Sequence, residues 1–314
     1  MQDIITIGSA IVDIFVTSSA FELQRTDSGV KLCQMYGEKI DADSFELHTG
    51  GGGSNTAVAF ARAGMSVAIV TETGKDIFAQ LVMDALHKEY VSTNFVIAEH
   101  KEQTGGSILL VGKDGGRTAL VHRGAAALLD PQDIPLRALK HSRWIHLSSI
   151  GGRTATLKMI AEVVRIHNLS LSWNPGRHEL ELLTTGVLGP AELPCQVLFL
   201  NAEEWSFVED LQEELKRSIP EIIVTAGGDG GTIFTSQNPE GTRFASKHVT
   251  SVDDTGAGDA FAAGYVIGKL SGTSAQVAAS WGVANASAVI QHFGAKKGLL
   301  TKDELVQLSQ AQHE

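Results

Sequence analysis

The sequence is short of the residues that mark several classes of protein. It has two cysteines in 314 residues, Cys33 and Cys195. They lie far apart and in no metal-like spacing, which argues against a disulfide framework and makes a reducing compartment the default. Positive charge is also scarce. The formal net charge is −11, so no global positive field exists to hold DNA, RNA or an anionic membrane. A local basic pocket for a nucleotide is not excluded by that number. Aromatic residues make up only 6% of the chain. No apolar run reaches the ~18 residues that a membrane span needs. The opening stretch MQDIITIGSA lacks the basic start and long apolar core of an export signal and reads instead as a first strand. Together these absences set the expectation of a cytoplasmic protein with no nucleic-acid or membrane partner.

What is present is a chain that can bury a large core. Hydrophobic residues make up 43%, which suits one α/β domain spanning 1–314. Short apolar runs recur at 4–8, 66–72, 143–149, 169–173, 196–201 and 221–228. They are runs rather than alternations, as in strands buried on both faces. Helix-like segments lie between or after them at 54–63, 76–88, 154–167, 203–217, 258–270, 274–292 and 302–311. Strand alternating with helix predicts a mostly parallel sheet covered on both sides. Two regions break the rhythm. Residues 11–49 contain IVDIFV and VKLCQMYGEKI without a convincing helix. Residues 104–123 read as a hairpin around Lys113-Asp114-Gly115-Gly116. Both are expected to form a small β lid on the α/β body.

Two glycine-rich stretches carry the chemistry. Near the C-terminus, DTGAGDAF places Gly256, Ala257 and Gly258 at the start of a helix-like run, with Asp259 just inside it. Bare backbone N–H groups at a helix N-terminus make an anion site. A carboxylate there repels a bound phosphate, so Asp259 makes little sense as a ligand. It makes sense as a base that takes the proton from a hydroxyl attacking that phosphate. Taken alone, the stretch reads equally well as a glycine turn with a helix cap. Near the N-terminus, GGGGSN (50–55) precedes TAVAFARAG. Its glycines, Gly51 and Gly52 among them, permit close approach of a ligand, and Asn55 offers both a donor and an acceptor.

The pair GGGGSNTAVAFARAG and DDTGAGDAFAAGYV, in this order, resembles the paired motifs of the ribokinase-like (PfkB) carbohydrate kinase family. The resemblance spans nearly the whole chain. It implies a three-layer α/β/α sandwich, a β lid over a sugar, and ATP-dependent phosphorylation of a hydroxyl. Residue by residue, it implies Asp259 as the base and Gly256, Ala257 and Gly258 as the anion hole. Asp13, at the end of the first strand, would contact the sugar with Gly51, Gly52 and Asn55. Asn201 and Glu204 of NAEE would organise the phosphates and the water shell of Mg2+. The alternative for Asn201 is a plain helix cap. Thr225, Gly227 and Gly230 of VTAGGDGG would line the ATP channel. Asn174 of SWNPG matches an Asx-Pro position near the phosphates. Asp253 and Thr255, with Gly294 and the loop HFGAKKG (292–298), resemble segments that hold a monovalent cation such as K+ in part of the family, although Gly298 stands where a hydroxyl residue is often found. Arg123 ends the second lid strand, and His122 and His146 have no partner spacing.

The acceptor is less legible. Gly52 stands where a frequent ribokinase variant has lysine, which weakens a ribose assignment. A sugar is favoured over a nucleoside because Asp13 has no aromatic neighbour in sequence. Phe15, Phe21, Tyr36 and Phe45 are the lid residues that a base-stacking slot would draw on. A sensor without catalysis is the third reading, disfavoured because a pure binder needs no base at 259. The lid strands IVDIFV and SILLV also suggest a homodimer formed through the lid.

Overall fold

A computed structural model describes residues 2–27, 29–114 and 116–310. Gly115 of the expected hairpin turn and residue 311 of the last expected helix lie outside the described residues. Nine strands form the main sheet, in the order Asn238–Phe244, Gly231–Thr235, Glu221–Thr225, Val197–Asn201, Leu171–Asn174, Trp144–Ser148, Ile4–Ile7, Val67–Thr73 and Ser92–Ala98. The strands pair in parallel except for the two antiparallel pairs at the end carrying Gly231–Thr235.

The apolar runs follow from this placement. Successive side chains point to opposite faces of a strand, and both faces here are covered. Val67 and Ile69 enter one core, while Ala68 and Val70 enter the other. Val197 and Phe199 alternate in the same way with Leu198 and Leu200. The first core holds the helices Gly52–Arg62, Ile77–Lys88, Ala257–Leu270, Ala275–Val289 and Lys302–Gln310. The second holds Thr154–His167, Arg177–Thr184 and the segments after Asn201. The architecture is therefore the expected three-layer sandwich. Among the described residues, no helix is long and apolar enough to cross a membrane.

A four-stranded lid sheet stands apart, in the order Ser44–Gly50, Ile11–Thr17, Gly106–Val111, Arg117–His122. It joins the two regions that broke the sequence rhythm. A separate two-stranded ribbon pairs Glu22–Thr26 with Gly29–Cys33.

The run at 221–228 forms the strand Glu221–Thr225 and then a 3-10 turn, Gly227–Asp229, that leads into the strand Gly231–Thr235. Three expectations need correction. The helix expected over 203–217 is split into Ala202–Phe207, a 3-10 turn Glu209–Leu211 and Gln212–Ser218. The like charges Glu209/Glu213 and Asp210/Glu214, each four residues apart, oppose one continuous helix. The helix expected over 274–292 stops at Val289. Asp13 does not end the first strand, which stops at Ile7; it lies within the lid strand Ile11–Thr17.

Candidate active site

The two glycine stretches meet above the C-terminal ends of the parallel strands. Each begins a helix with a glycine at positive φ: Gly51 at 93° before Gly52–Arg62, and Gly256 at 79° before Ala257–Leu270. A side chain at either position would be strained and would collide. A Cβ on Gly51 would lie 2.6 Å from the Ser9 carbonyl oxygen, and one on Gly256 would lie 2.3 Å from the Ala295 methyl. Gly52 is constrained differently, because its Cβ would sit 2.9 Å from the Ser148 Cβ and 3.3 Å from Asp259 Oδ1.

Asp259 is where the two stretches join. Asn55 Nδ2 donates to its Oδ2 at 2.9 Å, and Asn174 Nδ2 donates to its Oδ1 at 3.4 Å. Burial pushes the Asp259 carboxyl above the usual carboxylate range, opposed by these two amides and by the Lys296 ammonium. Asn55 is buried, and its Oδ1 has no hydrogen-bond partner among the described residues. Ser148 Oγ, also buried, has none either.

Asp259 borders a cavity of about 320 Å³ whose walls include Ser148, Asn174, Asn201, Glu204, Gly256 and Gly258. A second cavity, of about 420 Å³, adjoins it through the shared residues Thr225, Gly258 and Phe261. Gly227, Gly230 and Ala257 line the second cavity, with Phe244, Val283 and Ile290 as apolar walls. Of the three residues expected as an anion hole, Gly256 and Gly258 face the first cavity, whereas the Ala257 N–H donates to the Asp254 carbonyl at 3.2 Å.

Asn201 and Glu204 form a reciprocal cap. Asn201 Oδ1 accepts from the Glu204 N–H, and Glu204 Oε2 accepts from the Asn201 N–H, both at 2.8 Å. The cap and the cavity wall are built from the same two residues. Burial raises the Glu204 carboxyl, with the Asn201 N–H lowering it and Glu203 raising it further.

Asp13 is buried under the lid, 6% exposed, and accepts from Ser107 Oγ at 2.5 Å. Burial raises its carboxyl, while Ser107 and Lys296 pull it down. Asp253 is also buried. Its Oδ1 accepts from the Thr255 N–H at 3.0 Å, from Thr255 Oγ1 at 2.7 Å and from the Arg117 guanidinium. Its Oδ2 accepts from the Gly294 N–H at 3.0 Å. His146 lies in the sheet with Nδ1 2.8 Å from Ser172 Oγ, and burial depresses it to about 3. It is a neutral structural residue.

Sequence reasoning missed Lys296, Ser148 and Arg117. Lys296 Nζ donates to Ser54 Oγ at 2.5 Å and Thr49 Oγ1 at 2.9 Å, directly behind the first glycine turn. Burial brings its ammonium down to about 7, opposed by Asp13, Glu89 and Asp259. Its position in the loop HFGAKKG was visible, but nothing in the sequence showed that this loop returns to Ser54.

The chain matches the family model described as "pfkB family carbohydrate kinase" over residues 1–302. It is 26% identical over 317 residues to the ribokinase of Bacillus subtilis, covering 98% of this chain and 99% of that protein. It is 23% identical over 318 residues to a nucleoside kinase of Methanothermobacter thermautotrophicus, covering 99% and 96%. Among solved structures, the ribokinase of Arabidopsis thaliana complexed with ribose and ATP is similar in fold. Its TM-score is 0.77 and its identity 20%, over 98% of both chains.

Proposed function

The chain belongs to the pfkB family of carbohydrate kinases, and from that membership we propose that it transfers the γ-phosphate of ATP to a hydroxyl of a small sugar. The observation that carries this reading is the setting of Asp259. A carboxylate sits at the first turn of a glycine-started helix, beside a cavity whose walls include Ser148, Asn201 and Glu204, held by the amides of Asn55 and Asn174. Its raised proton affinity, caused by burial, suits a general base better than an ordinary surface carboxylate would.

In the proposed reaction the acceptor hydroxyl gives its proton to Asp259 as its oxygen attacks the γ-phosphorus. The bond from that phosphorus to the bridging oxygen of ADP breaks. Gly256 and Gly258, at the positive end of the helix Ala257–Leu270, hold the charge that develops on the phosphoryl oxygens. The second cavity takes the rest of the nucleotide, with its apolar walls for the base and Thr225, Gly227 and Gly230 along the channel. The Asn201 amide oxygen and the Glu204 carboxylate lie at the phosphate end, and oxygen ligands of this kind suit Mg2+, which keeps most of its water. When bound with the nucleotide, Mg2+ supplies charge neutralisation to the phosphates.

Asp13 and Asn55 are assigned to the acceptor, with Gly51 and Gly52 keeping the turn clear. The Asn55 Oδ1 that lacks a partner among the described residues can accept from a sugar hydroxyl. A sugar is favoured over a nucleoside by what the lid aromatics do. Phe15 is committed to ring contacts with His48 and Phe293, Phe21 is buried, and Tyr36 and Phe45 are exposed. A nucleoside acceptor is the second reading, because nucleoside kinases stand beside ribokinases among the relatives. The outer lid face supports a homodimer. Phe45, Leu47, Ile108 and Leu120 are all at least 40% exposed, and the strand register puts them on one face. Cytoplasmic location is proposed on the cysteine and charge balance alone.

A panel of sugars and nucleosides with Mg-ATP, scored by ADP release, tests the reading. A sugar with the highest kcat/KM is expected. A nucleoside phosphorylated with much higher kcat/KM than any sugar replaces the acceptor assignment, and no turnover on any hydroxyl compound removes the kinase assignment.

A further inference from the structure

Three carboxylates lie near the lid end of the body: Asp13 from the lid and Asp253 from the body are buried and close enough to repel each other, and Asp259 is half-buried on the cavity wall. Two cations answer them. Lys296 sits behind the first glycine turn, and Arg117 comes from the lid to Asp253. Arg117 is the partner of Val111 at the far end of the lid hairpin, opposite the end where Gly106 pairs with His122. Its contact with Asp253 spans 136 residues of sequence and ties the hairpin tip to the turn that starts the helix of Asp259.

The same carboxylate is the one that the sequence pattern assigns to a monovalent cation, and the surrounding residues do not fit one. A carboxylate has about four acceptor sites. The Asp253 carboxylate already receives the Thr255 N–H, the Thr255 hydroxyl, the Gly294 N–H and the Arg117 guanidinium. No side chain can contribute a hydroxyl from position 298 either. Gly298 has φ +88°, and a Cβ there would lie 2.5 Å from the Ala288 carbonyl oxygen.

We propose that Arg117 is this protein's built-in cation: its guanidinium neutralises Asp253 in place of K+ and, through the same contact, holds the lid hairpin over the acceptor. Arg117 is thus a positioning residue, because it acts on the acceptor through Asp253 and the lid. A guanidinium suits the task, being permanently charged and weakly hydrated. The consequence is a kinase whose lid contact and turn geometry need no added monovalent ion. The proposal rests on reading the Asp13–Asp259 region as the acceptor site.

The test compares the wild type, Arg117→Ala and Arg117→Lys in KCl and in tetramethylammonium chloride at equal ionic strength. Melting temperature without substrate is read beside kcat/KM for the best acceptor of the panel. The wild type is expected to melt at the same temperature in both salts and to change in kcat/KM by less than about twofold. Arg117→Ala is expected to melt lower and to lose about tenfold in kcat/KM for the acceptor, mainly through KM, with Arg117→Lys recovering most of it. Activation or thermal stabilisation of the wild type by K+ overturns the proposal. So does an Arg117→Ala protein that melts and turns over as the wild type does. If no acceptor is turned over at all, the kinase reading fails separately, and the melting temperatures still decide the role of Arg117.

Discussion

The helix entered through Gly51 and the helix entered through Gly256 begin alike. Each starts from a glycine at positive φ, neither has a side-chain cap, and the two pack against each other. They differ in their opening turns. The first has no acidic residue there and presents the amide of Asn55, whereas the second presents the carboxylate of Asp259. A helix N-terminus favours an ionised carboxylate by roughly 0.3–1 kcal/mol, while burial favours the protonated form. The first helix supplies, through Asn55, the donor that offsets part of this burial. One backbone device therefore opens two different turns: one presents a neutral amide, and the other the carboxylate proposed as the base.

Removing the charge tests that division most severely. Asp259→Asn keeps the shape but cannot take up a proton well, so kcat should fall by about 10² or more. ATP affinity measured by calorimetry should barely change. A variant turning over near the wild-type rate would make Asp259 a helix cap and equalise the two helices.

Backbone substitutions come next. Gly256→Ala places a side chain at φ 79° and 2.3 Å from Ala295, and should cost about 2 kcal/mol or more in urea unfolding. Gly258→Ala is the control. Its Cβ meets nothing within 4 Å, so stability should hold within about 1 kcal/mol, while KM for ATP rises because the residue lines both cavities. Equal unfolding midpoints for the two variants would show that the positive-φ entry is dispensable.

A smaller effect is expected in the pH profile. With Asp259 as the proposed base, activity should be present above its raised carboxyl pKa and lost as pH falls through it. Asn55→Ala removes a donor that lowers this pKa. The acid limb of kcat should move to higher pH, and a limb that stays put or moves down contradicts the proposed coupling of the two helices. Asp13→Asn should leave that limb in place and raise acceptor KM by about tenfold. The smallest effect on rate belongs to Leu120→Glu on the outer lid face. It should shift light scattering from dimer towards monomer, and a wild type that is monomeric at every concentration removes the dimer.

The body of the fold was legible because its strands are buried on both faces. Continuous runs such as those at 4–7 and 67–73 point to that setting directly. The edge strand Ser92–Ala98 was not legible. It is only partly buried, and its sequence STNFVIA starts with polar residues. The helix Arg177–Thr184, RHELELLT, was missed because it is short and sets only three leucines among charged and polar residues. The candidate site divides the same way. Asp259, Asn55, Asn201 and the glycines sit in local patterns whose chemistry can be read in a few residues. Lys296 and Arg117 sit in none.

By itself the sequence determined the two glycine entries, the acid inside one of them, and the layered body. These depend on local backbone freedom and on burial patterns that repeat along the chain. Only the tertiary structure decided that Asn55 meets Asp259 across 204 residues, that Arg117 reaches Asp253 across 136, and that Lys296 lies behind Ser54. Such pairings are set by which strands and loops the fold brings to one end of the sheet, and a long side chain carries no local mark of the partner it will find there.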